Sequence, residues 1–263
     1  MLPPGKGHGM RLEGKVAVIT GAGSGMGRAM ANLFAGEGAK VVAAEWNQTT
    51  LDEVVAEVKD AGGEIVGVQG DVSKPEDCAK IVQTAVDSFG TLDVLCNNAG
   101  VMDNFAGAED FSDELLPRVM SINAYGPLYL TREALKVMLP KGGGSIVNTA
   151  SAAGEHGGAA GVVYTMSKHA AVGLTKNTAW YYAKQGIRCN AMIVGGVATN
   201  IMASVDQSKI NAVGAEKAGV YGGIIPAFLQ PMDVANLALF LASDESKMVN
   251  GAMVAVDGGW GAA

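Results

Sequence analysis

The 263-residue chain has little charge, few cysteines, few histidines and few aromatic side chains. Charged residues make up 17% and hydrophobic residues 49%. That balance excludes a disordered chain, which is charge-rich and too poor in apolar surface to collapse. Lys and Arg number 19 against 26 Asp and Glu, for a net charge of −7, and no basic cluster occurs. A nucleic acid is therefore not an expected partner. The three cysteines, Cys78, Cys96 and Cys189, are odd in number, widely spaced and without a CxxC pair. They read as buried reduced thiols in a cytoplasmic protein rather than as a disulfide framework. The three histidines, His8, His156 and His169, form no metal-type cluster, so no metal is expected. No apolar run reaches the ~18 residues of a membrane helix. The Gly/Pro-rich start, Met1 to Met10, lacks the apolar h-region of a signal peptide and reads as a flexible tail. Glycine is the exception to scarcity, with 37 positions, but it follows no three-residue period, which excludes a collagen-like chain.

What is present is an alternation. Short β-branched runs (Val16–Thr20, Lys40–Ala44, Ile65–Val68, Leu92–Leu95, Ser145–Thr149, Arg188–Ile193 and Met253–Val256) are separated by helical stretches such as Leu51–Asp60, Glu76–Phe89 and Leu115–Leu139. Within Leu51–Asp60, the apolar residues Leu51, Val54, Val55 and Val58 fall on one helical face. Pro75 sits where a helix start loses no needed donor. Strands alternating with helices predict an α/β fold with about seven strands: a Rossmann-like, doubly wound parallel sheet covered by helices on both faces. No linker or repeat divides the chain, so residues 11–263 read as a single domain. The one irregular region, Gly195 to Pro231, is rich in Gly, Ala and Met.

Gly21-Ala22-Gly23-Ser24-Gly25-Met26-Gly27 follows the first strand and opens a helix. Glycines let backbone approach a pyrophosphate, and the helix N-terminus favours the anion. A loop of this kind alone would also pass for an ordinary strand–helix turn. Glu45 closes the second strand 20 residues past Gly25, where a carboxylate can accept from a ribose diol. Trp46 follows it, and neither Trp46 nor Ser24 supplies a cation for a 2′-phosphate. NAD is therefore expected in preference to NADP. Asp71-Val72 ends the third strand and Asn97-Asn98-Ala99-Gly100 the fourth. Strand carboxyl ends are where ligands gather in open α/β sheets.

Tyr164 and Lys168 stand at i and i+4, on one helical face. A neighbouring ammonium favours a phenolate, and a phenol so tuned is a general acid/base for an alcohol–ketone couple. Ser151 lies 13 residues earlier, just past the fifth strand, where its hydroxyl can orient a substrate oxygen. Asn123 reads as an amide in a helix interior, a place of modest propensity. His156, between Ser151 and Tyr164, either lines a pocket or faces solvent. Nothing supports a nucleophile–His–acid triad.

Together these residues resemble the short-chain dehydrogenase/reductase family, from about Arg11 to Trp260. The TGxxxGxG pattern matches Thr20 to Gly27, NNAG matches Asn97 to Gly100, and the Asn–Ser–Tyr–Lys tetrad matches Asn123, Ser151, Tyr164 and Lys168. The closing Val256-Asp257-Gly258-Gly259-Trp260 also fits. The resemblance implies that Tyr164 exchanges a proton with the substrate oxygen. It implies that Lys168 lowers the Tyr164 pKa and binds the nicotinamide ribose. Ser151 would hold the substrate and Asn123 would support a relay water. The implied cofactor contacts are Gly21, Gly23, Ser24, Gly25, Met26, Gly27, Glu45, Trp46, Asp71, Val72, Asn98, Ala99, Gly100, Tyr164, Lys168, Val197 and Thr199.

One departure concerns Val194-Gly195, where the family has Pro-Gly; it leaves the contacts of Val197 and Thr199 open to a shift. A flap over about 196–230 is also implied. Its apolar residues, with Met102, Met192, Met202 and His156, suggest a hydrophobic or cyclic alcohol or ketone; the same surface also suits packing on the protein or on another subunit. A homotetramer or homodimer is implied, with the helices of Asn123 and of Trp180-Tyr181-Tyr182 as interface candidates. The runner-up is an NADP-dependent 3-oxoacyl-carrier-protein reductase, and a catalytically silent NAD-binding regulator is the alternative of another class.

Overall fold

The computed structural model describes residues 9–262; most of the expected N-terminal tail lies outside them. Strands β1 (Val16–Thr20), β2 (Lys40–Glu45), β3 (Glu64–Gln69), β4 (Val94–Asn97), β5 (Gly144–Thr149), β6 (Ile187–Val194) and β7 (Met253–Val256) form one seven-stranded sheet. Its order is β3-β2-β1-β4-β5-β6-β7, and every pairing is parallel. This is the doubly wound Rossmann-like arrangement. The strand order reverses direction between β1 and β4, which opens a crevice at their carboxyl ends.

All five residues of β1 are buried. Ala17 and Ile19 join one hydrophobic core, Val16 and Val18 the other. The period-two pleat thus feeds both faces of the sheet at once. Helices α1 (Gly25–Gly36), α2 (Gln48–Asp60) and α8 (Pro231–Ala242) cover the first core. Helices α3 (Pro75–Phe89), α5 (Gly126–Lys141) and α6 (Val162–Tyr182) cover the second. Between α3 and α5 lies α4 (Leu115–Met120), and between α6 and α8 lies α7 (Ala212–Gly222). Among the described residues no helix is long and apolar enough to cross a membrane.

Three local expectations are corrected. Leu115–Leu139 is not one helix: a π-helical turn over Ser121–Tyr125 separates α4 from α5, and α5 runs on to Lys141. The fourth strand starts at Val94 rather than Leu92, because its ladder with β1 begins at the Ala17–Val94 pair. The region Gly195–Pro231 is less irregular than its composition suggests, since it contains α7 and two 3-10 turns. Cys78, Cys96 and Cys189 are free and buried, and burial pushes each thiol up to about 12.

Candidate active site

The glycine loop lies between β1 and α1, at the crevice. Gly21 and Gly25 have φ of 64° and 50°, a region that L side chains rarely adopt. Close packing excludes a side chain at Gly27, whose Cβ would fall 2.0 Å from the Gly21 carbonyl. The Asn98 Nδ2 donates to the Thr20 carbonyl at 2.9 Å, tying the loop to the end of β4. The N-cap of α1, Ser24, makes no side-chain cap bond, and the first turn holds no acidic residue. Its N–H groups and positive dipole end are thereby suited to an anion such as a pyrophosphate. These features fit a dinucleotide.

Glu45 is buried at the end of β2. Its carboxylate accepts from Gly23 N at 3.0 Å, Trp46 N at 3.1 Å and Asn47 N at 3.2 Å. Trp46 beside it is exposed. Val72 is buried and half-buried Asp71 accepts from Ser73 N. Val197 bridges to Leu229, and Thr199 faces Gly25: a Cβ on Gly25 would meet Thr199 Cγ2 at 3.2 Å.

The four tetrad positions converge beyond β4 and β5. Tyr164 and Lys168 share the buried face of α6, with the ammonium 5.4 Å from the phenol ring centroid. Lys168 Nζ donates to the Thr149 carbonyl at 2.9 Å. Ser151 Oγ accepts from Ala153 N at 3.2 Å, and its hydroxyl opposes the rise of the Tyr164 pKa. Asn123 sits in the π-turn. Its Oδ1 accepts from Val101 N and its Nδ2 donates to the Val101 carbonyl, both at 2.9 Å. Nδ2 also donates to Ser167 Oγ at 3.1 Å. A Cβ on Gly100 would lie 3.4 Å from Asn123 Oδ1 and 3.6 Å from Lys168 Nζ, so both groups face the strand end after NNAG.

Burial pushes the Tyr164 hydroxyl up to about 12; Ser151 opposes the rise and Asp103 adds to it. Burial brings the Lys168 ammonium down to about 8. Without a dinucleotide, desolvation of the phenolate is the largest influence on Tyr164.

Comparison with known proteins adds a second line. A family profile described as enoyl-(acyl carrier protein) reductase matches residues 21–261. The 3β-hydroxysteroid dehydrogenase 2 of Eggerthella lenta is 38% identical over 256 residues, covering 97% of this chain and 98% of its own. The chain belongs to the short-chain dehydrogenase/reductase family. It is an oxidoreductase of a family that binds NAD(P) and acts on small molecules. Levodione reductase superposes with a TM-score of 0.88 at 33% identity, covering 96% of this chain and all (100%) of its own. A Beutenbergia cavernae protein solved with NADP at low occupancy superposes at 0.86 with 36% identity, covering 97% and 100%.

As a short-chain dehydrogenase/reductase the chain departs from the common Pro-Gly after β6. Val194 continues the strand and pairs with Val256, and Gly195 N donates to the Val256 carbonyl at 3.1 Å. Thr199 N still donates to the Val197 carbonyl at 2.8 Å. Met192 is corrected: it is fully buried in β6 and packs in the core with Val194, not in a pocket. Met202 is exposed on the 3-10 turn after β6. His156 is half-buried, with its ring 6.1 Å from that of Tyr221, which in turn lies 4.4 Å from Trp260. Around Tyr164 pack Met102, Ala153, Phe105, Ala159, Ala160, Ile201 and Val205.

Sequence reasoning missed Asp103. It is buried at 1% exposure and bonds to the backbone of Tyr164 at 2.8 Å. Its only sequence signal is a charge three residues past NNAG, between Val101-Met102 and Asn104-Phe105.

Proposed function

We propose that the chain interconverts a hydrophobic or cyclic secondary alcohol and its ketone with NAD(H), with Tyr164 as general acid/base. The observation that carries this is the convergence of Tyr164, Ser151, Lys168 and Asn123 beside the glycine-loop crevice. The nicotinamide supplies the hydride chemistry when bound. Ser151 orients the substrate oxygen toward the Tyr164 hydroxyl. Tyr164 gives its proton to the carbonyl oxygen in reduction and takes it from the alcohol in oxidation. Burial raises the Tyr164 hydroxyl, so the phenol carries the proton that carbonyl reduction requires. Lys168 holds the nicotinamide ribose, and Asn123 fixes the Val101 backbone beside the site.

Several features support NAD over NADP. Glu45, buried at the end of β2, is a carboxylate that would repel a 2′-phosphate on the adenosine ribose, with uncharged Trp46 and Ser24 as neighbours. Arg28, one turn into α1, is paired with Glu57 and Glu53 at 2.6 and 3.1 Å. Trp46 offers an exposed flat face at the adenine end. The hydrophobic cluster that includes Tyr164 and the His156–Tyr221–Trp260 rings offer apolar and aromatic surface, which suits a ring system. The kinship with a hydroxysteroid dehydrogenase and with levodione reductase points the same way. Segment 196–230 is read as the flap over this pocket. Exposed Trp180 and Tyr181 on α6, with Leu128 on α5, support a homo-oligomer, taken to be a tetramer.

The test is a panel followed by reduced-nicotinamide absorbance. NAD and NADP are each offered with steroid and monocyclic alcohols, polyols, sugars and acyl thioesters. Turnover of cyclic alcohols with NAD supports the reading. Preference for a sugar phosphate or an acyl thioester with NADP overturns it.

A further inference from the structure

We propose that Asp103 is a positioning residue for Tyr164, holding the first turn of α6 against the same turn of chain on which the flap docks. The proposal rests on the role given to Tyr164 above.

A helix N-terminus leaves backbone donors without partners. At α6 the N-cap is Gly161, which has no side chain to supply an acceptor. Asp103 supplies it from outside. Its Oδ1 accepts from Gly161 N at 3.1 Å and Phe105 N at 3.0 Å, and its Oδ2 accepts from Tyr164 N at 2.8 Å. The neighbouring Ala106 carbonyl accepts from Val162 N at 2.9 Å. A buried carboxylate needs such partners, and the helix dipole favours it there. The fit is close: a Cβ on Gly161 would lie 2.5 Å from Asp103 Oδ2. Phe105 adopts φ of 65°, the one non-glycine residue with positive φ among those described. That conformation is rarely held without support from its surroundings.

The flap docks on this turn. Met102 N donates to Ser204 Oγ at 3.0 Å, Asn104 Nδ2 donates to the Lys209 carbonyl at 3.1 Å, and Asn211 N donates to the Asn104 carbonyl at 2.9 Å. Gly214 abuts the Phe105 carbonyl so closely that a Cβ would fall 1.7 Å from its oxygen. Flap and phenol are therefore registered to one hub.

Activation does not explain the carboxylate, since a negative charge beside a phenol opposes its ionisation. The charged groups facing Tyr164 are Asp103, from the loop after β4, and Lys168, from α6 itself. The loop after β5 contributes the neutral Ser151, Ala153, Ala159 and Ala160, and the flap contributes Ile201 and Val205.

Two variants test the proposal. Asp103→Asn removes the charge and one acceptor, and Gly161→Ala displaces the carboxylate without removing it. Each is expected to lower kcat about 10–100-fold, the cost of a small misplacement at a reacting centre, while dinucleotide affinity changes less than about twofold. The double variant should be no worse than the poorer single one, because both break the same contact. Tyr164 ionisation is read as the near-ultraviolet phenolate signal lost in Tyr164→Phe. In Asp103→Asn it should move to lower pH. Retained kcat in both variants overturns the proposal. So do additive losses with the Tyr164 titration unmoved, the pattern of a merely structural residue. The titration needs no substrate: a shift in a protein that turns nothing over would still support Asp103 while counting against the proposed reaction.

Discussion

Tyr164 and Lys168 stand one helical turn apart, and burial moves their proton affinities in opposite directions. The phenol is pushed up to about 12 and the ammonium down to about 8, so burial favours the neutral form of both. For Lys168 the folded value lies below its ordinary 10.5. The unfolded chain therefore binds the extra proton at intermediate pH. The stability Lys168 contributes is fully present above about 10.5 and is lost as pH falls through about 8. Lys168→Met should flatten this part of the dependence, raising stability relative to the parent near pH 7; urea unfolding followed from pH 7 up through about 10.5 checks it. Glu45→Gln should raise the NADP-to-NAD ratio of kcat/KM about tenfold or more by removing a like charge from the phosphate's position. Kinetics with both dinucleotides measure that. At this scale the residues legible in the sequence are those defined by local spacing: the i, i+4 pair, the strand-end Glu45, and Ser151 just past a β-branched run. Asp103 was not legible, because its partner Tyr164 is 61 residues away and no periodicity marks a carboxylate that turns inward. Met192 lies within the expected strand run, and the period-two alternation, with Ala191 and Ile193 on the opposite face, turns its side chain into the core.

The element that carries most consequence is the break between α4 and α5. Apolar periodicity runs through Leu115–Leu139 and predicts one helix, yet the wide turn over Ser121–Tyr125 intervenes. One π-turn leaves the pattern of apolar positions nearly unchanged, so spacing alone does not reveal it. Such turns concentrate at functional sites, and here it aims Asn123 at Val101. Just after it, Gly126 packs so tightly that a Cβ would lie 2.9 Å from the Val72 carbonyl. Gly126→Ala should therefore destabilise the protein by about 1–3 kcal/mol, the range for overpacking. The change will appear as a lower urea midpoint. Helix α3 shows the opposite case, where local chemistry was sufficient. Pro75 opens it, Glu76 and Asp77 favour its positive end, and Gly90 closes it in the left-handed region.

Across the whole molecule, alternating strands and helices were enough to foresee a parallel sheet covered on both faces. What they did not specify was the order β3-β2-β1-β4-β5-β6-β7. That order makes the β1 and β4 ends neighbours and so joins the glycine loop to the Asn97–Gly100 turn. Long-range pairing of this kind leaves no local trace in composition. At the same scale, the exposed Trp180 and Tyr181 are the proposed subunit contact. The double change Trp180→Glu and Tyr181→Glu should lower the mass measured by light scattering, with the parent larger than a monomer. The account as a whole stands on Tyr164 as the group that moves the proton. The most direct measurement compares kcat and dinucleotide affinity of Tyr164→Phe with the parent on a cyclic alcohol that the parent oxidises. Loss of about 10²–10⁴-fold in kcat with affinity nearly intact is the predicted result; turnover comparable to the parent would contradict it.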